Sequence, residues 1–443
     1  MPFKRKIYSK LLDWKKESLG KSAVLVEGAR RIGKSTIVEE FGRNEYKSYI
    51  LIDFTKVSKT VIQLFDDISD LDYLFLQLQL IFNKDLYKRE SLIIFDEVQF
   101  CPKARQAIKH LVADGRYDYI ETGSLISIKK NVKDILIPSE EQKIEMFPMD
   151  YEEFLWALSD NQIYPLLKKL WEQKKSFGDD LNRILLKNFR LYMLVGGMPQ
   201  AVNAYIESNN FRIVDEVKRN ILNLYEEDFK KLDPSGKAGL LFKAIPSQLE
   251  KNASRYQVSS VLENERASSV LELISEMENS KTVLISYHCS DPNAGLSRTK
   301  NLEKFKMFVC DTGLFTTMIF KDKDFTENII YEKLLTGKLE TNLGYLYENI
   351  VAQILTASGN KLFYYTFLNE KSRHNYEIDF LLARKNKICP LEVKSGGYKK
   401  HISLDAFCDK FSFRILEKYL VYTKEFRKDE DIFCIPVYFV PFL

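Results

Sequence analysis

An α/β chain of several domains is what this sequence predicts, on three observations. Short apolar runs near the N-terminus end in a glycine-bearing loop or an acidic pair. The middle third carries helical periodicity, and the last hundred residues hold alternating strands interrupted by acids and a lysine. At 443 residues the chain exceeds one ordinary core, so two or three domains are expected, each burying its own apolar centre. With 29% charged and 45% apolar residues and no low-complexity tract, the composition is that of a folded protein rather than a disordered one.

The formal charge of +4 neither demands nor excludes a nucleic-acid partner, so any basic groove has to be local. Cys101, Cys289, Cys310, Cys389, Cys408 and Cys434 are scattered without a C-x-x-C pair, which argues for reduced, buried thiols and against a zinc or redox centre. Lys15 and Lys16 interrupt the segment after the basic start before any signal-peptide core forms. No apolar run reaches the length needed to span a bilayer, so the expectation is a cytoplasmic protein with no membrane partner.

Ala23-Val24-Leu25-Val26 reads as a buried parallel strand. It feeds Gly28-Ala29-Arg30-Arg31-Ile32-Gly33-Lys34-Ser35 and then a helix from Thr36 to Phe41. Strand, loop and helix in that order is the context a phosphate-binding loop requires. Gly28 and Gly33 let backbone N–H groups face phosphate, and the helix N-terminus, with Thr36 in its first turn, favours negative charge. Lys34 reaches the outer phosphates, Ser35 ligates Mg²⁺, and Arg30 and Arg31 suit the same anion.

Leu92-Ile93-Ile94-Phe95 is a second buried strand, and it ends in Asp96-Glu97 at the carboxyl edge, where open α/β sheets bind ligands. Asp96 suits an outer-shell Mg²⁺ role, and Glu97 is placed to polarise an attacking water; together with the loop they predict ATP and Mg²⁺ as cofactors and hydrolysis as the reaction. Tyr49–Phe54 and Tyr117–Glu121 supply further strands. Ser124, after Thr122-Gly123, is a candidate γ-phosphate contact, while a plain strand-to-turn transition explains the same residues.

The loop, Phe95-Asp96-Glu97-Val98-Gln99, Glu121-Thr122-Gly123-Ser124 and Met146-Phe147-Pro148-Met149-Asp150-Tyr151-Glu152-Glu153-Phe154-Leu155 together resemble prokaryotic AAA-type ATPases that carry a separate C-terminal domain. The resemblance implies a five-stranded sheet with a strand inserted between the P-loop and Walker B strands. Relatives often place an arginine before the Phe-Pro-Met stretch; here Pro138–Lys143 has none, which leaves the arginine finger unassigned. Asp150-x-x-Glu153 reads as a capping box opening the next helical segment.

From Tyr151 to about Asn210 the pattern is helical, broken by Val195-Gly196-Gly197-Met198-Pro199, which reads as a tight interhelical corner or a hinge. Residues from about 240 to 318 suggest short helices, a longer helix from Glu265 to Met277, and a hairpin of Thr282–Tyr287 with Lys306–Val309. That order resembles a winged helix, followed in relatives by an Asp-x-Gly-Leu element matched by Asp311-Thr312-Gly313-Leu314. The presumed recognition helix is not basic, so a protein-contact or spacer role stands at least level with direct reading of a DNA groove.

Near the C-terminus, Tyr376–Leu382 reads as one strand with Glu377 and Asp379 on a single face, and Pro390-Leu391-Glu392-Val393-Lys394 as another that exposes Glu392 and Lys394 together. A two-residue turn at Lys385-Asn386 would set Asp379 opposite Glu392. Glu348 lies off the apolar stripe of the preceding helix. This order resembles the PD-(D/E)xK restriction-endonuclease-like superfamily, over about the last hundred residues. The resemblance implies metal binding by Glu348, Asp379 and Glu392, with Mg²⁺ or Mn²⁺, and a catalytic Lys394 that prepares the water attacking a phosphodiester. Lys399, Lys400 and His401 are candidate phosphate contacts or a solvated helix start.

The expected organisation is therefore a P-loop ATPase core over 1–150, a helical connector over 151–235, a winged-helix module over 236–330, and a restriction-endonuclease-like α/β domain over 331–443. The leading function is an ATPase coupled to a metal-dependent nuclease acting on DNA or RNA. The alternative is a nucleotide-dependent switch that grips protein or nucleic acid without cutting. Homo-oligomers are open in both.

Overall fold

The computed structural model describes residues 2–123, 139–251, 253–293, 295–321, 326, 328–337, 344–369, 375–396 and 401–443. Where four segments are expected, the contacts of the chain gather into two compact units. One comprises residues 1–147 with 279–281, and the other residues 148–278 with 282–443.

The first unit is built on an all-parallel sheet of β1 (Ala23–Glu27), β2 (Ser48–Asp53), β3 (Ser91–Asp96), β4 (Asp118–Gly123) and β5 (Glu141–Glu145), in the order β2-β3-β4-β1-β5. As expected for the ATPase core, β4 lies between the P-loop strand and the strand ending in Asp96. Leu92 to Phe95 are fully buried because helices cover both faces of a parallel sheet, and each such side chain contributes roughly 1.5–3 kcal/mol on leaving water. Phe54, Phe65 and Phe95 make edge-on and tilted ring contacts at one end of that core.

The second unit opens with helices Tyr151–Ala157, Ile163–Gln173, Asp179–Val195, Pro199–Ser208 and Phe211–Leu232. The capping box of Asp150 and Glu153 is present, with the Glu153 N–H donating to Asp150 Oδ1 at 2.9 Å and the Asp150 N–H to Glu153 Oε2 at 3.2 Å. Gly196 and Gly197 form a tight corner: a Cβ on Gly197 would meet the Met149 carbonyl oxygen at 2.1 Å, and one on Gly313 the Gly196 Cα at 2.5 Å. Asp311 seals the corner, accepting the Gly197 N–H on Oδ2 and the Leu314 N–H on Oδ1. Two sequence motifs over a hundred residues apart are thus halves of one packing element.

Two expectations for this unit change. The helix expected from Glu265 begins as a 3₁₀ turn, Ala267–Val270, and becomes α-helical only over Leu271–Asn279, since Arg266 is still extended. The hairpin β6 (Val283–Cys289) and β7 (Lys300–Val309) does not stand as the wing of a separate module. It continues into β8 (Phe363–Leu368) and β9 (Asn375–Ile378) as a four-stranded sheet ordered β7-β6-β8-β9. A second mixed sheet holds β10 (Phe380–Arg384), β11 (Lys387–Val393), β12 (Lys418–Tyr422), β13 (Arg427–Asp429) and β14 (Ile432–Pro436), ordered β10-β11-β12-β14-β13. All six cysteines are buried and free.

Candidate functional site

The loop after β1 is shaped by close approach. A Cβ on Gly28 would sit 2.2 Å from the Met146 carbonyl oxygen, and Gly33, at φ 94°, turns the chain into the helix Lys34–Glu45. Arg31 is also left-handed, at φ 69°, which lets the loop fold back on itself. Lys34 is buried and donates to the carbonyls of Gly28, at 3.1 Å, and Ala29, at 2.8 Å, so its ammonium lies inside the loop. Arg30 is half-buried, and Arg31 and Thr36 are exposed.

Ser35 Oγ donates to Asp96 Oδ1 at 2.7 Å, bringing together a hydroxyl and a carboxylate, the hard oxygen pair Mg²⁺ prefers. The Thr122 hydroxyl donates to the same Asp96 oxygen and accepts the Glu97 N–H at 3.2 Å. Glu97 follows with φ 54°, half-buried, its carboxylate held by the Gln99 side-chain amide. Ser124 lies outside the described residues.

In the second unit, β10 and β11 pair antiparallel with Arg384 opposite Lys387, so Lys385-Asn386 is the two-residue turn. The ladder ends at Phe380 and Leu391. Asp379 is a break between β9 and β10 rather than the middle of one strand, and the two strands belong to different sheets. The break frees the Asp379 carboxylate to accept the Val393 N–H at 2.7 Å, beside Glu392. Lys394 Nζ lies 2.6 Å from Glu392 Oε1, while Glu392 Oε2 is buried without a partner among the described residues.

Glu348, on the helix Gly344–Ala357, is held from an unexpected side. Lys306 of β7 reaches Glu348 Oε2 at 3.4 Å and also pairs with Glu377. Burial and then the Glu348 charge push the Asp379 carboxyl well above the usual carboxylate range, with Lys306 opposing. For Lys306, burial pulls the other way, but Glu348, Glu377 and Asp379 outweigh it and keep the ammonium charged.

The expected three-carboxylate cage is not assembled as such. Among the described residues no group of three or more His, Cys, Asp or Glu side chains is gathered to hold a metal ion; Lys306 engages Glu348 and Glu377, and Lys394 engages Glu392. Lys399 and Lys400 lie outside the described residues, and His401 Nδ1 pairs with Asp405 at 2.8 Å.

Residues 20–155 match the model of the family described as an AAA domain. They form an AAA-type ATPase domain. Residues 186–324 match a domain of unknown function, DUF8612, and residues 343–440 match another, DUF4143. Among solved structures the chain is similar to the Walker-type ATPase PABY2304 of Pyrococcus abyssi, at 16% identity over 72% of this chain and 96% of that one, with a TM-score of 0.44. It is also similar to the ORC1 protein of Aeropyrum pernix, solved in complex with DNA, at 12% identity over 76% and 93% of the two chains, with a TM-score of 0.28. No curated protein matches the chain in sequence.

Within the AAA domain unit, two residues escaped the sequence reading. Arg5 reaches the Ile32 carbonyl at 2.8 Å and the Phe147 carbonyl at 2.6 Å, tying the loop to the chain after β5. Nothing in the sequence separates it from the other cations of that basic start. Thr122 stood in view beside Ser124, and its partner Asp96 becomes visible only once β3 and β4 are known to be neighbours. No helix among the described residues is long and apolar enough to cross a membrane.

Proposed function

We propose that ATP turnover in the AAA domain controls a metal-dependent site in the C-terminal segment that acts on the phosphodiester backbone of DNA or RNA. The observation that carries this reading is Lys394 Nζ at 2.6 Å from Glu392, next to an Asp379 that β10–β11 pairing delivers to the same strand end. An acid pair beside a lysine on one strand edge is an arrangement suited to preparing water for attack on a phosphodiester.

In the AAA domain, Lys34 neutralises the outer phosphates, and the N–H groups around Gly28, Gly33 and Arg31 receive phosphate oxygens. Ser35 and Asp96 would hold Mg²⁺, which would supply charge neutralisation, and Glu97 would orient the water that attacks the γ-phosphate. Thr122 keeps Asp96 and the Glu97 backbone in register. In the C-terminal segment, the unpartnered oxygen of Glu392 and the Asp379 carboxylate fit Mg²⁺ or Mn²⁺, and Glu348 joins them only by releasing Lys306. A cation held there would supply Lewis-acid stabilisation of charge. Against the pull of burial, Glu392 holds the Lys394 ammonium charged, and Lys394 orients the attacking water.

A second reading has its own support. Lys306 seated between Glu348 and Glu377 neutralises part of the acid cluster with a fixed ammonium, which favours a nucleotide-dependent switch that binds nucleic acid or protein without cutting. Purified full-length protein incubated with single- and double-stranded DNA and RNA, with Mg²⁺ or Mn²⁺, separates the two. Cleavage lost in Lys394→Ala, and ATP turnover lost in Lys34→Ala, is the expected result. Intact ATP turnover with no cleavage of any of these substrates would sink the cutting reading and leave the switch.

A further inference from the structure

One face of the β7-β6-β8-β9 sheet is polar although it is largely buried. Ser286 pairs with Lys306 across β6 and β7, His288 with Tyr364 across β6 and β8, and Thr366 with Glu377 across β8 and β9, so these side chains share that face. Three of them carry a polar atom without a partner among the described residues: Ser286 Oγ, His288 Nδ1 and Tyr364 Oη. Their residues are only 0%, 8% and 0% exposed.

All three orphans can donate, and the two hydroxyls can also accept. His288 Nε2 accepts the Thr366 N–H at 3.2 Å, so the ring proton resides on Nδ1. Burial first and Lys304 second lower the His288 pKa to about 4, which keeps the ring neutral at physiological pH. Lys304 Nζ bonds Thr366 Oγ1 at 2.5 Å and retains two further N–H groups; burial first and the exposed Arg255 second lower its pKa, and Glu377, which Lys306 also holds, opposes them. Folded proteins rarely leave several buried donors unsatisfied on one face, because each costs stability. Unsatisfied donors next to a half-buried ammonium describe a site awaiting an acceptor-rich anion.

We infer that this face is a phosphate-binding subsite, in which Tyr364 Oη, Ser286 Oγ and His288 Nδ1 donate to the oxygens of a phosphate group whose charge Lys304 balances. The chemistry is the same for a phosphate of a nucleic-acid backbone and for a free phosphate. It does not depend on whether the carboxylates near Lys394 cut anything.

The test uses the full chain carrying Lys34→Ala, so that the P-loop does not compete, and reads thermal unfolding with and without inorganic phosphate. Phosphate is expected to raise the melting temperature. Adding Tyr364→Phe is expected to raise it in the absence of phosphate, since a buried unsatisfied hydroxyl is removed, and to weaken phosphate binding by about five- to tenfold. Lys304→Met is expected to abolish the phosphate response. If Tyr364→Phe lowers stability without phosphate, or leaves the phosphate response unchanged, the hydroxyl is satisfied by buried water and the inference is overturned. A short 5′-phosphorylated oligonucleotide that competes with phosphate, and that the same variants weaken, identifies the backbone as the source; phosphate binding without such competition identifies a free phosphate. No response to either probe overturns the site, whereas absent cleavage touches only the nuclease reading.

Discussion

Lys306 Nζ stands 3.4 Å from Glu348 Oε2 and also holds Glu377, with only 7% of its own side chain exposed. The pair joins a strand of the β6–β7 hairpin to the helix that carries the first acid of the expected metal set. Lys306→Met would leave both carboxylates facing Asp379 without a counter-cation. Removing one partner of a pair this buried costs on the order of 3 kcal/mol. Chemical denaturation should therefore show a clear loss for the second unit, which Mn²⁺ partly restores in the variant and not in the parent. An unchanged midpoint would mean that solvent already screens the pair.

Glu97 and Lys34 are expected to fail in different ways. Lys34→Ala removes the cation inside the loop, so fluorescent ATP analogue binding should collapse along with turnover. Glu97→Gln keeps the loop intact, so binding should persist while phosphate release falls by about 100-fold or more, the scale on which a positioned base contributes. Equal loss of binding in both variants would remove Glu97 from the hydrolytic role.

The corner between Gly196-Gly197 and Asp311–Gly313 has no room for a methyl group. Gly197→Ala places a Cβ 2.1 Å from the Met149 carbonyl oxygen, against backbone that cannot swing away. Destabilisation of about 1–3 kcal/mol or more is expected, read as a lower melting temperature with ATP binding by the AAA domain retained. A neutral outcome would show that the corner opens easily and would favour a hinge there.

Glu121 gives a pH dependence. Burial, then the neighbouring Glu141 that Arg105 holds in a two-pronged ion pair, raise its carboxyl well above the ordinary 4.5. The folded chain keeps this proton while the unfolded chain releases it above that value. Stability from neutral Glu121 is therefore complete below it and is lost progressively as pH rises toward the folded pKa. Glu121→Gln mimics the protonated form. It should raise the melting temperature of the AAA domain more at about pH 8 than at about pH 5, and thermal scans at the two values check the sign.

Local patterns carried most of what could be read from the chain. Four-residue apolar runs mark the parallel strands because both sheet faces are covered, and the loop glycines, Lys34, Ser35 and Asp96-Glu97 announce themselves because phosphate and Mg²⁺ chemistry demands fixed residue types at fixed spacing. The turn at Lys385-Asn386 was legible for the same reason, since a two-residue turn sets the pairing of its own strands. The strand across Asp379 reads as continuous because alternation runs smoothly from Tyr376 to Leu382; the break shows only once β9 and β10 join different sheets and Asp379 accepts the Val393 N–H.

By itself, then, the sequence determined the P-loop element, the acidic strand end after Phe95 and the acid–lysine pair at the end of β11, all set by contacts within one strand, loop or turn. Only the tertiary structure decided that Thr122 touches Asp96, that Arg5 grips the loop, that Gly197 meets Asp311 and that Lys306 takes hold of Glu348. Each of those joins residues from 26 to 114 positions apart. Spacing along the chain cannot encode such pairings, because they depend on strand order and register, which the packing of the whole unit selects.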